Sequence, residues 1–79
     1  MKFSTVAIIG GIYQHYKNGK LYRVLEIAKH SETLEMMVVY EALYDNLTSK
    51  IWVRPLSMFE DPVKVGRKSV PRFSLKGKL

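Results

Sequence analysis

The chain has 79 residues, enough for one domain and no second, and at that size only about 60% of the unfolded surface can be buried in a core. Hydrophobic residues make up 47% and charged residues 25%, which excludes a disordered chain; the lack of cysteine excludes disulfide staples, thiolate catalysis and cysteine-held zinc or iron–sulfur sites. The net charge is +6 and unevenly spread: no acid follows Asp61, while Lys64, Arg67, Lys68, Arg72, Lys76 and Lys78 do, which points to an anionic partner, nucleic acid first.

The opening stretch "MKFSTVAIIGGIY" reads as a first strand. Its apolar run is shorter than the roughly 20 residues that span a bilayer, and no small-residue cleavage site follows. The expectation is therefore a cytoplasmic protein without membrane association. Gly10-Gly11 continues into neither of the glycine-rich patterns that cradle phosphates.

"HYKNGKLY" predicts a hairpin, with Asn18-Gly19 supplying the positive φ values of a two-residue type I′ turn. In its second arm, Leu21 to Lys29, Tyr22 and Val24 share one face and Leu25 and Ile27 the other. A β-bulge would relieve that switch and bend the strand. The polar stretch His30, Ser31, Glu32 and Thr33 follows, carrying side chains that enzymes use as base, nucleophile and metal ligand. Adjacent residues at a strand end point apart, however, and Ser31 lacks a base held by a third group. The reading is a structural turn with no catalytic role, in which His30 bonds a backbone carbonyl. His15 and His30 are the only histidines, and even with Glu32 or Glu35 their spacing matches no metal pattern, so no metal site and no cofactor are expected.

From Leu34 to Tyr44 a helical template competes with a strand that puts Met36, Val38, Tyr40, Ala42 and Tyr44 on one apolar face. Val38-Val39-Tyr40 and the absence of a capping box favour the strand. "KIWVRP" gives a short strand stopped by Pro55, with Arg54 placed to pair with Glu32 or Glu35. Residues 56–60 read as one helical turn, Met58 and Phe59 facing inward. A last hairpin turns at Gly66-Arg67-Lys68, its second arm running to Phe73, and residues 74–79 form a basic tail.

The series "GIYQHYKNGKLYRVLEIAKHSETLEMMVVYEALY", "WVRPLSMF" and "VPRF" resembles a bacterial family of small uncharacterised domains, a domain of unknown function with an SH3-like barrel. The resemblance runs from about Gly11 to Phe73 and rests on HYK, HSET, VVY, WVRP and PRF occurring together. Residues 1–10, an extra strand or tail, fall outside it, and "NLTSK" stands where the family often has a glycine-rich turn. It implies a compact, strongly bent β-barrel with a one-turn helix, and no activity.

The sequence thus predicts a single all-β domain, a small SH3-like barrel of five to six short antiparallel strands with one helical turn, and no enzyme. Tyr13, Tyr16, Tyr22, Tyr40, Tyr44 and Trp52 are more amphipathic rings than so thin a core can wholly enclose. Small barrels bind single strands by stacking bases on such rings beside a cationic groove. The expected function is a binding module for RNA or single-stranded DNA, through Tyr16, Lys17, Trp52, Arg54, Lys64, Arg67, Lys68 and Arg72. The alternative is a protein or peptide module of SH3 type, docking on Trp52 and Tyr40 with little salt dependence. Exposed edge strands allow a monomer or a weak homodimer.

Overall fold

A computed structural model describes residues 7–78 of the chain. Seven strands and one short helix follow in order: β1 (Gly11–His15), β2 (Leu21–Lys29), β3 (Met36–Ala42), β4 (Ile51–Pro55), α1 (Leu56–Glu60), β5 (Pro62–Val65), β6 (Lys68–Pro71) and β7 (Phe73–Lys78). One antiparallel sheet runs β4-β3-β2-β1-β7, and β5-β6 form a separate hairpin. The all-β class, the short antiparallel strands and the helical turn at 56–60 match the sequence reading. Among the described residues the ladder ends at β4 and β7 and does not run round a closed barrel.

The strand beyond the expected count is β7, where the sequence suggested a basic tail. Strand β1 would otherwise leave a row of unpaired backbone groups. Residues 73–78 cover it, with Tyr13 opposite Leu75 and His15 opposite Phe73. Residues 1–6 of the proposed extra strand lie outside the described residues, and residues 7–10 form a turn. Gly10 there has φ +87°, and Gly11 allows a close approach, since a Cβ on it would meet the Ile8 carbonyl oxygen at 2.9 Å.

The bulge in β2 is real. Val24 pairs with Tyr40 and Ile27 with Val38, so one residue is extra between them and the register slips between Val24 and Glu26. The slip lets both Val24 and Ile27 face the core, which strict alternation forbids.

The two turns that flank β2 share one construction. In each a histidine and the fifth residue after it close a four-residue loop: the His15 N–H donates to the Lys20 carbonyl at 3.0 Å, and the His30 N–H to the Glu35 carbonyl at 2.8 Å. The fourth loop residue takes positive φ, Gly19 at 69° and Leu34 at 62°. The first turn is therefore not type I′, because Asn18 keeps negative φ. Its side chain acts instead, Oδ1 accepting the Lys20 N–H at 2.8 Å. In both loops the histidine Nδ1 accepts a backbone N–H two residues on, from Lys17 at 3.1 Å and from Glu32 at 3.2 Å. The His30 side chain thus accepts backbone N–H groups, from Glu32 and Thr33, where the sequence suggested a bond to a backbone carbonyl.

The core is largely aromatic. Phe59 of α1 stacks on Phe73 with ring centroids 4.2 Å apart and meets Tyr13 edge-on at 5.2 Å, closing the sheet's inner face over Val24, Val38 and Ala42. Burying such a ring contributes about 1.5–3 kcal/mol. Met58, by contrast, is 48% exposed, because a single helical turn can direct only one of two adjacent residues inward.

Candidate functional site

One end of the aromatic core opens into a cavity of about 320 Å³. Strand β4 contributes Trp52 and Arg54, which lie two residues apart and so share its inner face, while Ile51 and Val53 point outward. Strands β2 and β3 bring Tyr22 and Tyr40, β7 brings Phe73, and the first turn brings His15 and Asn18. The loop after β3 completes the wall with Tyr44 and Asn46.

These groups are tied by hydrogen bonds. The Tyr22 and Tyr44 hydroxyls bond each other at 2.5 Å, and each also accepts an asparagine amide, Asn18 at 3.3 Å and Asn46 at 3.0 Å. Asn46 is held in turn by the Thr48 N–H, which donates to its Oδ1. Burial, and then the bond with Tyr44, push the Tyr22 phenol above its ordinary value, so it stays protonated at neutral pH. The Trp52 indole donates to the Ser49 carbonyl at 3.0 Å.

Arg54 departs from the sequence expectation. No acid pairs with it among the described residues; its Nε donates to the Tyr40 hydroxyl at 3.2 Å and its guanidinium lies 5.3 Å from the Phe73 ring centre. The inward face of β4 carries it away from Glu32 and Glu35, which sit in the exposed second turn. The ion pairs among the described residues lie elsewhere, Glu41 taking Arg23 at 3.5 Å and Lys50 at 3.9 Å.

His15 packs edge-on against Phe73 at 4.9 Å. Burial lowers its pKa below the ordinary 6.5, and Arg54, Arg72 and Lys17 lower it further. Arg54 lines the cavity, while Arg72 and Lys17 act on His15 without lining it. Arg72 is half-buried, its carbonyl accepting the Tyr16 N–H at 3.0 Å, and its Nε is buried without a hydrogen-bond partner among the described residues. Lys20 lies over the Tyr44 ring at 5.2 Å. No acid lines the cavity.

Of the residues singled out in the sequence, Trp52 and Arg54 line the cavity, while Tyr16, Lys17 and Arg72 lie near His15 without lining it. Lys64, Arg67 and Lys68 do not join them; they are exposed on the β5-β6 hairpin, which packs mainly on itself. His30, Ser31, Glu32 and Thr33 form the second turn, also exposed. The sequence reading missed His15, Asn18, Asn46 and Phe73 as wall residues. The signal for the asparagines was there, since each stands in a turn within four residues of the tyrosine it bonds.

The profile of a family described as a protein of unknown function, DUF1653, matches residues 11–75. The chain belongs to the DUF1653 family. A crystal structure of a DUF1653 protein from Bordetella bronchiseptica is similar, with 35% identity, a TM-score of 0.81 and 91% of each chain covered. Among curated proteins no relative is matched. The family region begins at β1, and so takes in both histidine turns and the whole cavity wall. Among the described residues no helix is long and apolar enough to cross a membrane, and no three of His, Asp or Glu gather as metal ligands.

Proposed function

We propose that this DUF1653 domain is a binding module for single-stranded nucleic acid, RNA or DNA, and not an enzyme. The observation that carries the reading is an aromatic-walled cavity that Arg54 lines and no carboxylate does, with Arg72 and Lys17 adding positive charge near His15 of its wall. Rings without a counter-charge suit a ligand that brings both a π face and negative charge, which nucleotides do. Cationic ligands, which aromatic cages otherwise favour, are repelled by the same three residues. Lys64, Arg67 and Lys68 supply a second cationic surface along which a bound strand's phosphates can lie.

Fluorescence anisotropy with labelled single-stranded RNA and DNA at about 50 and 200 mM salt tests this. Four phosphate contacts give a log–log slope of about −3, so affinity falls roughly fifty-fold over that range. Absence of binding at the lower salt removes the proposal. Binding of a peptide with little salt dependence would favour an SH3-type docking role instead.

A further inference from the structure

The cavity's hydrogen bonds leave a one-sided remainder. Each of the Tyr22 and Tyr44 hydroxyls accepts an asparagine N–H, and the two share one hydrogen between them, so one O–H is left to donate. The Tyr40 hydroxyl accepts from Arg54 and keeps its own hydrogen. Because His15 Nδ1 is an acceptor, the neutral ring carries its hydrogen on Nε2. Arg54 uses Nε on Tyr40 and keeps both terminal nitrogens free among the described residues. These groups thus hold unspent hydrogens for an acceptor, and the formally charged side chain in the cavity wall is Arg54.

Resting on the nucleic-acid reading above, we infer that the cavity receives a terminal phosphomonoester, the phosphorylated end of a strand or a free nucleoside monophosphate, in preference to an internal nucleotide. A terminal phosphate offers three acceptor oxygens and close to two negative charges, which match Arg54, His15 and the tyrosine hydroxyls. An internal phosphodiester carries a single charge and is flanked on both sides by chain. At about 320 Å³ the cavity lies at the small end of ligand sites, which span roughly 300–1,000 Å³. It accommodates one phosphorylated nucleotide end and not a continuous strand, with the half-buried Trp52 ring in its wall for the attached base to meet.

The test compares one short sequence carrying a 5′-phosphate, a 3′-phosphate or hydroxyls at both ends, with anisotropy as readout. At least one phosphorylated form binds tenfold or more tightly than the hydroxyl form. That advantage shrinks to about twofold or less in Tyr40→Phe and in Arg54→Lys, while both variants keep the native amide spectrum and lose less affinity for the hydroxyl strand than for the phosphorylated one. Competition by a nucleoside monophosphate at strand-like concentrations identifies the free nucleotide as the source; competition by phosphorylated strand alone identifies the strand end, and either upholds the phosphomonoester. Equal affinity for all three strands overturns this inference and leaves the nucleic-acid reading standing. Failure of every strand to bind overturns both.

Discussion

The two turns beside β2 are built alike and end in different surroundings. Each has a histidine whose Nδ1 holds a backbone N–H two residues on and a fourth loop residue at positive φ. Around His30 there is solvent. Around His15 there are the turn's own Lys17 and, delivered by β4 and by the segment from Arg72 into β7, Arg54, Arg72 and Phe73. Local sequence makes the turn, and Arg54, Arg72 and Phe73, more than thirty positions away, set its surroundings apart.

Phe73 is the residue on which the first turn depends most and the second least. Phe73→Ala removes the ring that anchors His15 and Phe59, and costs about 3–5 kcal/mol, measured by denaturant unfolding. In a domain of this size that loss leaves little of the native state, and amide exchange at the His15 turn should quicken even where the fold survives. An unchanged unfolding midpoint would show that the first turn stands as independently as the second.

Exchanging the two positive-φ residues sharpens the contrast between the turns. Gly19→Leu places a branched side chain in the left-handed region, where the nearest heavy atom to a Cβ is 3.8 Å away, so its cost of about 1–2 kcal/mol is conformational and not steric. Leu34→Gly does the reverse at a site that is 64% exposed, and should stabilise by about 0.5–1 kcal/mol, less than the mirror change because glycine also loosens the unfolded chain. The double variant should lie near the sum, since the turns share no partner.

The smallest effect distinguishes His15 by pH. Its folded pKa lies below the ordinary 6.5, so the unfolded chain takes up its proton more readily. The stability this contributes is full above about pH 6.5 and is lost as pH falls through that value toward the lowered one. His15→Asn keeps an acceptor for the Lys17 N–H but cannot titrate, so its melting temperature should fall less than the wild type's between about pH 7.5 and 5.5. An identical fall in both proteins would show that burial and the neighbouring cations do not act on His15.

Much of the fold was legible because it is locally encoded. Pro55 ends β4, the stiffness of Val38 and Val39 decides strand over helix, and the face switch between Val24 and Leu25 signals the bulge. Strand β7 was not legible, because residues 73–78 have no strong pattern and are strand only where β1 offers an edge. The site was half visible for the same reason. Trp52 and Arg54 share a face by simple alternation, whereas His15, Tyr22, Tyr44 and Phe73 meet only through pairings across the whole chain. The basic hairpin drew attention through composition, yet Lys64, Arg67 and Lys68 lie outside the cavity that Arg54 lines.

Single-strand binding as proposed would centre on the cavity beneath the His15 turn, with the hairpin secondary. An amide and indole chemical-shift titration of the labelled protein with a 5′- or 3′-phosphorylated single strand, at low and moderate salt, addresses it directly. The largest, salt-sensitive shifts are expected at His15, Tyr44, Arg54 and the Trp52 indole, with smaller ones over Lys64 to Lys68. Shifts confined to the hairpin, or none at either salt, would contradict that expectation.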